Sequence, residues 1–136
     1  NAMAQAADLD LAELLLSAVG DVVRLDHEDQ IDAVTAVSGS GPAYVFNLIE
    51  ALAAAAVAEG LPEALAMKLA RATVTGSGEL AHQAPETAAQ LRINVTSPGG
   101  TTAAALAHLM DAQTGLTPLL TRAVKAAADR GRELGK

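Results

Sequence analysis

Ser97, Pro98, Gly99, Gly100, Thr101 and Thr102 stand directly before an apolar, helix-forming run at 103–110. The first turn of a helix carries backbone N–H groups without intrahelical partners, together with the positive end of the helix dipole. A small anion can seat on those groups when no bulky side chain covers them. Gly99 and Gly100 strip the approach, Pro98 fixes the incoming backbone, and Ser97, Thr101 and Thr102 add hydroxyls that donate or accept. Thr102 also falls in line with Leu106 and Leu109 at helical spacing. Its hydroxyl is therefore expected where an apolar seam meets a pocket, not in solvent. This chemistry suits recognition of a small carboxylate or phosphate. The plainer alternative is that these residues only shape and cap a helix start. No lysine follows the glycines as in a nucleotide-triphosphate loop, and no Gly-x-Gly-x-x-Gly occurs in the chain.

The elements that must position this stretch read as helices. The 136 residues are 51% hydrophobic, yet Tyr44 and Phe46 are the only aromatics. Alanine, the strongest helix former, is abundant, and few segments alternate as strands do. The expected class is all-α, a bundle of about six helices with short connections. Asp8 is placed to cap a helix over 9–18, which Gly20 ends. Residues 22–25 (Val-Val-Arg-Leu) are the one strand-like run, and they lack a mate. That points to a missing sheet or to a frayed segment.

A short helix is expected over 31–37, stopped by Gly39. Gly41 and Pro42 restart the chain, with Ser40 or Gly41 as cap, and the new helix runs to Glu59 with Gly60 closing it. Its stripe is Val45, Leu48, Ile49, Leu52 and Ala56, and alanines make most of the remainder apolar. Pro62 opens another helix with Leu65, Ala66, Leu69, Ala70 and Val74 inward; Gly76-Ser77-Gly78 within it implies a bend or a closely passing backbone. Pro85-Glu86 is expected to begin a short helix to about Ile93. The last helix, 117–134, carries Leu116, Leu120, Ala123, Ala127 and Leu134 on one face. A chain this small cannot by itself surround a helix as apolar as 43–58. An obligate homodimer with interlaced helices is therefore expected.

The formal charge is −7 and basic residues are scattered, which argues against nucleic acid and membrane surfaces as partners. The longest apolar stretch, 43–58, carries Asn47 and Glu50 and is read as too short to span a bilayer. No charged leader precedes a signal-type core, so a cytoplasmic protein is expected. Asn1, Ala2 and Met3 resemble a tag remnant and are set apart. His27, His82 and His108 share no ligand spacing, so no metal is expected. Asn47 and Glu50 suit the polar edge of a dimer seam or a pocket wall. The run Asp26-His27-Glu28-Asp29 suits a solvated link between domains, and Met67 and Met110 suit core filling.

Two stretches, DAVTAVSGSGPAY at 32–44 and VTSPGGTT at 95–102, closely resemble the paired signatures of the pyrroline-5-carboxylate reductase family. Their separation fits too, as does the ending Ala123-Val124…Arg130-Gly131-Arg132-Glu133-Leu134-Gly135, and the resemblance extends over about 11–135. It implies an interlaced, all-helical dimerisation and substrate-binding domain at 29–136, of the 6-phosphogluconate dehydrogenase C-terminal-like type. Residues 1–28 would then be the tag residue plus the last helix and strand of a Rossmann domain. The implied reaction is reduction of 1-pyrroline-5-carboxylate to L-proline by NADPH or NADH, bound mainly by that Rossmann half. The chain alone would be inactive, and the homodimer could assemble further.

By the same resemblance, the substrate carboxylate sits on backbone N–H groups around Ser97, Gly99, Gly100 and Thr101, and the Thr102 hydroxyl orients the ring nitrogen. Asn94, Ser38, Ser40 and Gly41 would approach the nicotinamide. Many family members have Lys-Asp where this chain has Arg92-Ile93, and the segment 84–89 is slightly longer here. Two other readings stand beside this one. The first is a non-catalytic helical dimerisation module. The second is the helical half of another NAD(P)-dependent dehydrogenase, although neither Lys68 nor Lys125 sits in the motif of its catalytic lysine.

Overall fold

Glycines and prolines punctuate alanine-rich runs and so set the helix boundaries in the computed structural model, which describes residues 3–135. The helices are α1 (Ala6–Leu16), α2 (Ile31–Val34), α3 (Gly41–Ala58), α4 (Glu63–Gln83), α5 (Ala88–Asn94), α6 (Thr101–Leu109) and α7 (Leu116–Leu134). A 3-10 turn, Glu28–Gln30, leads into α2, and a π turn, Thr35–Gly39, joins α2 to α3. No strand occurs among the described residues. The class is all-α, as the composition implied.

Several local expectations need correction. Residues 21–25 form no strand; among the described residues no second strand is there to take their backbone groups, in keeping with the expected lack of a mate. Arg24 instead reaches back to the Asp10 and Glu13 carboxylates on α1, and the hydrogen bonds to both raise its pKa further. Asp8 does not stand before α1. It lies inside the first turn, where its carboxylate accepts the Gln5 N–H at 2.8 Å. The helix after Pro85 begins only at Ala88, because Thr87 is extended and its Oγ1 accepts the Gln90 N–H at 3.2 Å. Pro62 and Gly60 act as expected. Gly60 takes φ +93°, and the N–H groups of Gly60 and Leu61 reach the carbonyls of Val57 and Ala56, a Schellman closure.

The length expectation also changes. The 3-10 turn, α2, the π turn and α3 run on as one helical rod, Glu28–Ala58, of 31 residues, whose most apolar 18-residue window has a mean hydropathy of 1.4. By length and composition alone it is enough to cross a bilayer. Its apolar surface is little covered within one chain.

Packing centres on α3 against α4, with α7 lying on α2 and the π turn. Ala53, Ala66 and Ala70 form the buried cluster, flanked by half-buried Ile49, Ala56 and Met67. Small side chains let α3 and α4 approach closely. The predicted leucines of both helices do not join them: Leu48, Leu52, Leu65 and Leu69 are 45, 40, 42 and 46% exposed. α4 runs on through Gly76 and Gly78, where a β-carbon would meet nothing within 4 Å in this chain. On α7 the inward face is Val124, Ala127, Ala128 and Gly131, one step round from the predicted stripe, whose Leu116, Leu120 and Leu134 stay exposed. Met110 is likewise exposed.

The turn between α6 and α7 leaves no room at Gly115. A β-carbon there would lie 2.5 Å from the Asp111 carbonyl oxygen and 2.6 Å from that of Leu109. Gly115→Ala should therefore lower stability by about 1–3 kcal/mol, measured by urea unfolding at fixed protein concentration. An unchanged midpoint would show that this turn opens freely.

Candidate functional site

The sequence Ser-Pro-Gly-Gly folds as a tight turn that delivers the chain into α6. Pro98 suits the first central position, and Gly99 takes φ +70° at the second, the pattern of a type II turn. The Gly100 N–H closes the turn by donating to the Ser97 carbonyl at 3.0 Å. Gly100 then caps α6 in extended conformation with no side-chain cap, and its carbonyl accepts the Ala104 N–H at 3.2 Å. Both glycines thus have local reasons. Gly99 needs the left-handed region, and a β-carbon on Gly100 would sit 3.2 Å from the Ser97 carbonyl oxygen.

This geometry corrects the donor set. The Gly100 amide already faces its own chain's carbonyl and has nothing left for a ligand. The amides of Thr101, Thr102 and Ala103 take no acceptor among the described residues. They project from the positive end of the α6 dipole, beside two threonine hydroxyls. The site therefore offers a three-amide anion cradle shifted one residue into the helix. The Thr102 side chain is exposed, as are those of Ser97 and Thr101. Leu106 is half-buried and Leu109 is 52% exposed, so one chain supplies no apolar seam beside Thr102.

The turn is braced from α5. Thr96 Oγ1 donates to the Arg92 carbonyl at 2.6 Å, and the Arg92 guanidinium donates to Met110 Sδ at the far end of α6. Arg92 thus has a structural use that its departure from the family pattern did not suggest. Asn94 is exposed, and its Oδ1 accepts from the Gln90 amide at 2.7 Å. Ser38 donates to the Val34 carbonyl at 2.9 Å within the rod, while Ser40 and Gly41 are half-buried where the π turn meets α3. Within one chain, no hydrogen bond links the residues expected at the nicotinamide on 38–41 to Asn94 or to those expected at the carboxylate.

Among the described residues, no group of three His, Asp or Glu side chains could hold a metal ion. Asn47 is exposed on α3, while Glu50 lines an open groove between α3 and α4 with Glu63 and Met67. One relevant residue carried no sequence signal of its role. Tyr44 Oη donates to the Ala36 carbonyl in the π turn at 3.0 Å; only its standing as the chain's one tyrosine, inside a signature segment, marks it.

Residues 28–134 match the family described as pyrroline-5-carboxylate reductase dimerisation. This chain belongs to that family. It is 49% identical over its whole length to a pyrroline-5-carboxylate reductase of Synechocystis, and 46% identical over 131 residues to that of Corynebacterium melassecola. It spans about half of each relative, 50% and 47% respectively, and corresponds to their C-terminal half. The solved pyrroline-5-carboxylate reductase of Coxiella burnetii superposes on the whole chain with TM-score 0.90 at 41% identity, over 50% of its own length. A Plasmodium falciparum pyrroline carboxylate reductase solved with NADP bound matches with TM-score 0.80 at 32% identity, over 51% of its length.

In this dimerisation domain Gly99→Ala should cost about 1–2 kcal/mol by forcing a side chain into the left-handed region, whereas Gly99→Asn should cost clearly less. Chemical denaturation of the two variants measures the difference. Equal losses would mean that the turn reshapes around any side chain.

Proposed function

We propose that this chain is the dimerisation and substrate-holding half of an NAD(P)H-dependent enzyme that reduces 1-pyrroline-5-carboxylate to L-proline. The observation that carries the reading is the open three-amide cradle at the start of α6, in a chain of this family. The residues at 1–28 are read as the end of a nucleotide-binding half, and 29–136 as the helical domain. The start of the family match at residue 28 supports that boundary. The exposed apolar faces of α3, α4 and α7 support a homodimer in which a second copy covers them.

The substrate is a small ring with a carboxylate and a C=N bond, which suits this cradle. The carboxylate accepts from the amides of Thr101, Thr102 and Ala103. Thr102 Oγ1 then lies at hand to orient the ring nitrogen. Bound nicotinamide would supply the hydride for the C=N carbon. This chain has no dinucleotide fingerprint, so it holds that group at most by its edge, through Ser38, Ser40, Gly41 and Asn94. What the helical half contributes is placement of the imine, and proximity of this kind is worth several kcal/mol. None of the cradle residues is a proton donor of useful acidity, which suits an imine that arrives protonated.

Three measurements test the reading. Light scattering at micromolar concentration should give about twice the 13.7 kDa chain mass, and a monomer would remove the second copy. NADPH oxidation with 1-pyrroline-5-carboxylate should be absent for this chain and present once it is joined to a nucleotide-binding half. Turnover by this chain alone would overturn the division of labour. In the joined enzyme, Thr102→Ala should raise the imine KM about tenfold, the loss of roughly one hydrogen bond to a charged group, and Thr102→Ser should restore it. Unaltered kinetics in Thr102→Ala would remove that hydroxyl from the site.

A further inference from the structure

The π turn between α2 and α3 slips the helical hydrogen-bond ladder by one residue. The Ser40 N–H donates to the Thr35 carbonyl, five residues back, at 2.8 Å. In an α-helix that amide would serve Ala36. Two positions further on, Pro42 brings no N–H at all. Tyr44 supplies the substitute: its hydroxyl donates to the Ala36 carbonyl at 3.0 Å in a part-buried setting. Ala36 itself is 1% exposed, so few other donors can reach it.

An extra residue also rotates the helix. Each residue turns an α-helix by about 100°, so the faces before and after the π turn point in different directions. Before it, α2 and the π turn lie on α7; after it, α3 lies on α4. The first contact tolerates little slip, since a β-carbon on Gly131 of α7 would sit 2.9 Å from Asp32 Oδ1 on α2. The angle between the two packed units is set within the π turn, and the segment that lies there is Ser38–Gly39–Ser40–Gly41.

We propose that Tyr44 is a positioning residue: its hydroxyl locks the π turn and thereby fixes how Ser38, Ser40 and Gly41 are presented. The lock is a property of the fold, whereas its effect on turnover rests on the function proposed above.

The test compares Tyr44→Phe with the parent in the complete reductase. The variant keeps the ring and loses only the donor. It should retain dimer mass and helicity, while the Ser40 amide exchanges its hydrogen about tenfold faster. Its kcat should fall about tenfold or more, because the segment is misplaced, with the imine KM unchanged. Unaltered Ser40 exchange would overturn the lock. Faster exchange spread evenly through α3 and α4, or faster Ser40 exchange with parental kcat, would overturn the positioning role. If Tyr44→Phe does not fold, exchange in the parent still decides: a Ser40 amide protected like the middle of α3 supports the lock, and an unprotected one removes it. If the parent fails to reduce the imine, the proposed function falls while Ser40 exchange still judges the lock.

Discussion

What one copy of this chain can bury governs the rest of the structure. The apolar side chains it hides are those of Ala36, Ala53, Ala66, Ala70 and Ala128, and no large side chain is fully buried among the described residues. Burying a leucine or valine contributes about 1.5–3 kcal/mol, an alanine much less, and ordering each backbone residue costs about 1–2 kcal/mol. The alanine seam by itself contributes little against that cost. The same small side chains explain why leucines remain outside. They bring α3 and α4 together along a narrow line, and Leu48, Leu52, Leu65 and Leu69 flank it, each still about two-fifths or more exposed. Leu116, Leu120 and Leu134 on α7 repeat the situation, and the homodimer proposed above would cover both sets.

The candidate site inherits this condition. Neither α5 nor α6 packs extensively on the α3–α4 pair or on α7. Their mutual brace is local, through Arg92, Thr96 and Met110. The Ser97–Thr102 turn is well defined in itself, because a proline, a positive-φ glycine and one backbone hydrogen bond fix it. Its placement relative to 38–41 is not fixed by any bond within the chain. In the homodimer proposed above, the wall beside Thr102 and the cover over the leucines would come from the same partner.

Helix existence was legible because alanine content, proline starts and glycine stops all act locally. Gly60, Pro42 and Gly115 mark their boundaries by chemistry that needs no tertiary context. The misreadings share a different cause. Residues 22–25 look like a strand by side-chain type, but a strand depends on a partner that residue type cannot supply. Leu65 and Leu69 of α4 look inward-facing because periodicity reports which face is apolar and not which apolar face meets its own chain. The π turn left no trace in periodicity, since one inserted residue within a rod of alanine, valine and serine changes the pattern too little. Which amides of 97–103 lack an acceptor was not legible, because deciding it requires knowing that Ser97 and Gly100 close a turn.

That turn bears on the chemistry. A turn that spends the Gly100 amide on Ser97 makes the remaining donors Thr101, Thr102 and Ala103, all within the first helical turn, where the dipole is strongest and the geometry most rigid. Loose glycine backbone would have to be ordered when a ligand arrived, and that ordering opposes binding. Here the glycines are already committed, Gly99 by its φ and Gly100 by its hydrogen bond. Their role is thus to deliver the chain into α6 sharply enough that nothing stands in front of the three free amides. Ser-Pro-Gly-Gly-Thr-Thr is fixed where it looked loose, and that lets a short helix of nine residues hold out three preformed donors, which the function proposed above assigns to the substrate carboxylate.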